Sequence, residues 1–315
     1  MGEGGYQQIN KSLNACAFDA YLSAQQSRLP KLLDVDQLSP RVLRVLGQNA
    51  GKFTLQGTNT YIVGTGRERL IIDTAQGYRA WADLIEETLH ERSIGLSHVF
   101  LTHWHGDHTK GVPDLLRMYP HLADSVYKNS PDYSQQPIED GQVFAVEGAT
   151  IRAVHAPGHS HDHMCFVLEE ENALFTGDNV LGHGTSAVEH LGVYMDALQK
   201  MQAQGCTVGY PAHGAVISDF QGKIEAEIGQ KTRRETQCLV ALGRLHREKG
   251  SVGQAGSVTV NELIDNIHGH QLDEQVRKNV VGPFIDEVLC KLAEDGKVGF
   301  CVRKGVKKWF ALITG

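Results

Sequence analysis

The sequence lacks the features that tie a chain to a membrane or to a disulfide framework. No apolar run approaches the ~18 residues that a bilayer span requires. The opening stretch MGEGGYQQIN has no basic segment followed by an apolar one, so no secretory signal is visible. The six cysteines, Cys16, Cys165, Cys206, Cys238, Cys290 and Cys301, are scattered, with no Cys-x-x-Cys pair. A chain of 315 residues needs no disulfides to build a core, so reduced, buried thiols are expected. An excess of positive charge is also missing: the formal net charge is −7, which disfavours a protein that coats nucleic acid. Internal repeats and low-complexity tracts are absent. The expectation is a soluble, cytoplasmic protein.

What is present supports a large folded unit. Hydrophobic residues make up 41% and charged residues 21%, a balance that favours a packed core over disorder. Residues 1–40 read as an extension, partly helical at ACAFDAYLSAQQ. Short Val- and Ile-rich runs punctuated by glycine follow at 41–49, 58–66 and 69–75, and read as strands. Residues 78–92 have helical periodicity, with Trp81, Leu84, Ile85, Thr88 and Leu89 on one face. SHVFLT, 97–102, is a short buried strand, and VPDLLRMYP a short helix with Pro113 in its first turn. QVFAVEG, TIRAVHAPG, HMCFVLEEE and NALFTGDNV form a second run of strands. A helix over 189–205 then closes at Gly205, and the strand CTVGYPAHG follows. Two β-rich halves with helices outside imply a four-layer αββα sandwich. Near residue 222 the composition changes to long amphipathic helices and a final hairpin, KVGFCVRKGVKKWFALI. The expected units are residues 1–222 and a helical, winged-helix-like unit over 223–315.

The chemistry is concentrated in LTHWHGDHTKG, 101–111. His103, His105, Asp107 and His108 form H-x-H-x-D-H directly after a buried strand. α/β folds keep their reactive groups at such strand ends. Imidazole and carboxylate suit borderline-soft divalent ions such as zinc. So short a loop cannot aim four ligands at one ion, so the spacing divides them: His103 and His105 toward one metal, Asp107 and His108 toward another. The remaining ligands are expected from other strand ends: His159 in HAPGHSHDH, Asp178 in LFTGDNV and His213 in GYPAHG. Asp178 has two oxygens and can bridge. Water between two divalent ions ionises near neutral pH, since one zinc alone lowers a bound water's pKa to ~7. No serine or cysteine nucleophile is then needed.

These motifs, in this order over about residues 41–217, resemble the metallo-β-lactamase superfamily. The resemblance implies His103, His105 and His159 on a first ion, and Asp107, His108 and His213 on a second. Asp178 bridges, and Asp107 and Asp178 serve catalysis. The stretches GTNTYIVG and PGHSHDHMCFVLEEENALFTGDNVLGHGT, and the helical tail with KKW, are similar to the lactamase-β-like-2 subgroup. Its fungal members, thioesterases of the atrochrysone carboxyl-carrier-protein type, release aromatic polyketides from the acyl carrier protein of non-reducing polyketide synthases. That resemblance covers nearly the whole chain and implies two divalent ions, zinc first and manganese or iron as alternatives. It also implies an acyl-carrier-protein partner. A single-stranded-RNA endoribonuclease and a glyoxalase II-like thioesterase stay open as alternatives. Thr58, Asn59 and His183 are candidate substrate contacts. Arg303, Lys304, Lys307 and Lys308 in the hairpin offer a basic surface to an acidic partner.

Overall fold

Strand β10 (Met164–Leu168) has every residue buried, yet its side chains alternate between two different cores. Met164, Phe166 and Leu168 enter one and Cys165 and Val167 the other, as the period of two of an extended chain demands. Such a strand is covered on both faces. The computed structural model, which describes residues 26–249 and 256–312, shows how.

The first sheet runs β1 (Val35–Gln37), β2 (Val42–Leu46), β3 (Asn59–Val63), β4 (Glu68–Ile72), β5 (Gly95–Phe100), β6 (Val126–Lys128) and β7 (Gln136–Pro137) in spatial order. It is antiparallel from β1 to β4 and parallel from β4 to β7. The second sheet is ordered β12 (Val208–Pro211), β11 (Ala173–Gly177), β10, β9 (Ala149–His155) and β8 (Val143–Val146), with β11 and β12 parallel and the rest antiparallel. Between the sheets lie Val42, Tyr61, Leu70, Ile72 and Phe100 from one and Ile151, Ala153, Phe166 and Phe175 from the other. Helix α1 (Arg79–Arg92) lays Trp81, Ala82, Ile85 and Leu89 on the outer face of the first sheet. The short helices α2 (Gly106–Thr109) and α3 (Val112–Met118) follow β5. Helix α4 (Leu191–Gln202) covers the outer face of the second sheet. The four-layer αββα sandwich is therefore as expected. Helix α4 stops at Gln202, and Gly205 turns the chain three residues later with φ +70°.

Beyond the sandwich, α5 (Phe220–Lys249), α6 (Val260–His268) and α7 (Gly282–Glu294) precede the hairpin of β13 (Val298–Arg303) and β14 (Val306–Ala311). Helix α6 opens with a reciprocal cap between Thr259 and Glu262. A helical turn at Glu274–Val276 runs into π-helical Arg277–Val281 before α7 begins. Trp309 exchanges two backbone hydrogen bonds with Val258, at 2.8 and 2.7 Å, which ties the hairpin to the start of α6. Leu198 and Met201 of α4, Leu242 of α5, Leu263, Leu289 and Trp309 belong to one apolar cluster with Cys165 and Leu174 of the second sheet. The helical region thus extends the sandwich core. Cys165, Cys206, Cys238, Cys290 and Cys301 are free thiols, while Cys16 and most of the expected N-terminal helix lie outside the described residues.

Candidate metal centre

Five strand ends deliver the site. Asp73 follows β4, His103 and His105 follow β5, His159 follows β9, Asp178 follows β11, and His213 follows β12. Parallel strands β4, β5, β11 and β12 all point the same way within their sheets, so their carboxyl ends meet at one edge of the sandwich. The strand ending at Phe100 hands over to the loop that opens α2, where Asp107 and His108 sit in the first turn. Gly177 holds φ +51° just before Asp178, and a Cβ there would collide with the His163 ring that accepts the Asp178 amide hydrogen.

The side chains converge in two groups. Ligand atoms of His103, His105, His159 and Asp178 all lie within 4.8 Å of one another, as do those of Asp107, His108 and His213. In the first group His105 Nδ1 stands 2.8 Å from His103 Nε2 and 3.0 Å from His159 Nε2. In the second, His213 Nε2 lies 3.3 Å from Asp107 Oδ2. Asp178 faces both: its Oδ2 is 3.4 Å from His159 Nε2 and 3.6 Å from His108 Nε2, and its Oδ1 is 3.3 Å from His213 Nε2.

The outer nitrogens are held by acceptors. His159 Nδ1 donates to the Ala187 carbonyl at 2.8 Å, with Ser186 Oγ at 3.1 Å. A carbonyl only accepts, so the proton sits on Nδ1 and Nε2 turns a lone pair toward the cluster. His108 Nδ1 lies 2.8 Å from Asp73 Oδ2, and Thr102 Oγ1 bridges Asp73 and His103 Nδ1. Carboxylate or carbonyl backing of this kind orients and enriches metal-binding imidazoles.

The donor set fits divalent cations. Burial, reinforced by the neighbouring histidines, holds His103 well below its ordinary range and His105 at about 3, so both are neutral ligands at physiological pH. Burial opposes charge on Asp107 and Asp178, but the His108 and His213 imidazoles overcome it and hold both carboxyls well below the ordinary carboxylate range. Conversely, Asp178 and Asp107 push His213 up to about 10 against the effect of burial. The two carboxylates thus draw positive charge to the centre of the cluster. His105 Nε2, His108 Nε2 and Asp178 Oδ1 are buried without a hydrogen-bond partner. Such a mixed His/Asp set suits borderline-soft metals.

All seven residues expected as ligands are therefore brought together. Thr58 and Asn59, expected to touch substrate, are instead 0% and 1% exposed and brace the scaffold. Thr58 Oγ1 donates to the Asp107 carbonyl at 2.9 Å, and Asn59 Nδ2 donates to the carbonyls of Pro211 and Gly214, both at 2.8 Å. The physical reason is position: β3 passes beneath the loops carrying Asp107 and His213. His183 is half-buried, next to Gly182, whose amide donates to the His213 carbonyl at 2.9 Å. Sequence reasoning missed Asp73, Thr102 and Asn179, whereas His163, expected from its place beside His159 to support the site or face solvent rather than bind metal, is buried and accepts the Asp178 amide at 3.0 Å. Asp73 was open to discovery, because it ends the strand RLII in the same way that Asp178 ends its own.

Comparison with known proteins places this arrangement. The profile described as "Metallo-beta-lactamase superfamily" matches residues 53–213. The atrochrysone carboxyl ACP thioesterase AacuM of Aspergillus aculeatus is 77% identical over 312 residues, covering 99% of this chain and all of that protein. The atrochrysone carboxyl ACP thioesterase of Aspergillus terreus is 67% identical, covering 98% and 97% of the two chains. Among solved structures, a beta-lactamase domain protein from Burkholderia ambifaria superposes with a TM-score of 0.68 at 16% identity, over 90% of this chain and 95% of that one. The last likeness is one of fold alone. With seven His and Asp side chains converging at one edge of an αββα sandwich, and with full-length relatives of this kind, the chain belongs to the metallo-beta-lactamase superfamily.

Proposed function

We propose that the chain is a cytoplasmic thioesterase that hydrolyses an aromatic polyketide thioester carried on the acyl carrier protein of a non-reducing polyketide synthase. The observation that carries this reading is full-length identity of 77% to a protein named atrochrysone carboxyl ACP thioesterase. The buried His/Asp cluster supports it chemically.

In this reading His103, His105, His159 and Asp178 would hold one divalent ion, and Asp107, His108 and His213, which Asp178 also faces, would hold a second. Zinc is the first choice for such donors. Divalent ions held there acidify water and polarise a carbonyl. The protein's own part is to keep His103 and His105 neutral and Asp107 and Asp178 ionised, and to back His103, His108 and His159 with fixed partners. Hydrolysis adds water to the thioester carbonyl and breaks the C–S bond. The products are a carboxylic acid and the free thiol of the carrier. His183, half-buried at the rim beside His213, is the residue proposed to meet the acyl group.

The test offers purified protein three substrates in parallel: an aromatic polyketide on its carrier protein, a glutathione thioester and a single-stranded RNA. Release of free acid from the first, with the other two untouched, is expected. Rapid RNA cleavage with neither thioester consumed overturns the reading in favour of an endoribonuclease. Preference for the glutathione thioester overturns it in favour of a glyoxalase II-like enzyme.

A further inference from the structure

We propose that the buried Lys231–Glu227 pair of helix α5 positions His159, so that the helical region is a working part of the metal centre. This inference rests on the metal reading given above. It concerns a connection between parts of the chain that lie far apart in sequence.

Lys231 and Glu227 are 6% and 5% exposed. Taking both charges out of water is costly unless their hydrogen-bonding capacity is used. Here it is used on one loop. Lys231 Nζ donates to Glu227 Oε2 at 2.7 Å and to Thr185 Oγ1 at 2.9 Å. Thr185 Oγ1 passes its own hydrogen to Glu227 Oε2 at 3.0 Å, which closes a three-membered ring of bonds. Lys223 Nζ donates to Glu227 Oε1 and to the carbonyl of Gly184, each at 3.0 Å. Helix α5 therefore grips residues 184 and 185 from one side.

The next two residues of that loop are the ones that hold His159. Ala187 supplies the carbonyl that fixes the Nδ1 proton, and Ser186 supplies a hydroxyl beside it. A second strand of contacts runs in parallel. Lys231 Nζ lies 5.3 Å from the centre of the Tyr194 ring, and the Tyr194 hydroxyl donates to the carbonyl of Asn179, the neighbour of Asp178. Asn179 Oδ1 in turn accepts from the His159 amide at 3.4 Å. Both routes end on the first ligand group. The bonds of the Lys231–Glu227 cluster end at Gly184 and Thr185, and the loop meets the second ligand group only further back, where the Gly182 amide donates to the His213 carbonyl at 2.9 Å.

That asymmetry supplies the test. Full-length protein is loaded with zinc, and release of each equivalent is followed by competition with a colorimetric chelator. Partners behind metal ligands are worth 10–100-fold in affinity, and Thr185 stands one step further back, so Thr185→Val is expected to loosen one equivalent by about tenfold. The other equivalent should be unchanged. Thr185→Ser, which keeps the hydroxyl, should restore wild-type retention. Lys231→Met should act in the same direction and more strongly. Should that buried change prevent folding, the loop variants still decide the matter. Wild-type retention of both equivalents in Thr185→Val overturns the inference. Equal loosening of both equivalents, unrescued by Thr185→Ser, also overturns it, because a general loss of stability has no reason to choose one site. If wild-type protein takes up no zinc, the metal reading itself falls and takes this inference with it. If wild-type holds two equivalents and the variants match it, only this inference falls.

Discussion

Asp73 accepts from His108 Nδ1 at 2.8 Å while its own backbone sits at φ +61°. The left-handed conformation is uncommon for a residue with a side chain, and Asp and Asn tolerate it better than most. Both carboxylate oxygens are occupied, since the Thr102 amide donates to Oδ1 at 2.8 Å and the Thr102 hydroxyl to Oδ2 at 2.9 Å. One side chain thus anchors the whole H-x-H-x-D-H loop at two points, although it lies some thirty residues upstream of that loop.

Asp73→Asn keeps the backbone preference and the size but removes the charge and turns one acceptor into a donor. Metal affinity and kcat/KM are expected to fall together by about 10–100-fold, the usual loss when a metal-bound imidazole loses its carboxylate. Asp73→Ala should add a loss of thermal stability, because alanine resists φ above zero. Zinc titration of the two variants beside their melting curves separates the effects. Wild-type zinc binding in Asp73→Asn would mean that Thr102 alone orients the loop.

Asp178 carries the second prediction. Its two oxygens face His159 on one side and His213 on the other. Asp178→Asn should therefore lower the occupancy of both metal equivalents and hydrolysis in parallel. Loss of one equivalent with the other retained would assign Asp178 to a single ion. Full metal content at near-normal rates would remove it from the centre.

The loop was legible because H-x-H-x-D-H is local: so short a segment cannot aim four side chains at one point, and the structure shares them between two clusters. His159, Asp178 and His213 were legible because each follows an apolar run. The αββα layering was readable from the alternation of short strands and helices, and Phe166 and Val167, which face different cores, show why every position of β10 is apolar. The supports were not legible. Asp73 ends a strand as Asp178 does, but nothing in the sequence says that its carboxylate stands behind His108 and not in the cluster itself. Thr58 and Asn59 look like hairpin residues at the rim, but β3 carries them underneath. Lys231 and Glu227 lie more than forty residues from Thr185, and only the packing of α5 against the 184–187 loop brings the three together.

A pH dependence is built into the helical region. Burial holds the Glu287 carboxyl up at about 7, against the opposing charges of His190 and Lys231, and its Oε1 is buried without a hydrogen-bond partner. The unfolded chain releases this proton near the ordinary glutamate value, about 4.3. Between the two values the native state binds more protons than the unfolded one, so stability falls as pH rises through that window. The loss amounts to roughly 1–3 kcal/mol. Chemical denaturation at pH 5 and pH 7.5 should show it, and Glu287→Gln should flatten the difference. An unchanged pH slope in Glu287→Gln would place the proton elsewhere.

The final prediction concerns the basic hairpin, where the structure divides charges that look equivalent in sequence. Lys307 Nζ lies 4.0 Å from the centre of the Trp309 ring and 3.8 Å from Asp286 Oδ1, so it packs the hairpin onto α7. Arg303 and Lys304 are exposed at the turn, close to the exposed Phe300, Val302 and Val306, and Lys308 is half-exposed on β14, paired with Cys301. An acidic carrier protein would meet the second set. Reversing Arg303, Lys304 and Lys308 to Glu should lower kcat/KM for carrier-bound substrate on the order of tenfold, because opposite charges speed encounter. A small soluble thioester should be hydrolysed as before. Raising salt should shrink the wild-type advantage, since exposed charges are screened beyond about 8 Å at physiological ionic strength. Lys307→Glu should behave differently, lowering stability and slowing both substrates alike. If the triple reversal also slows both substrates alike, the turn is part of the scaffold and the carrier docks on another face.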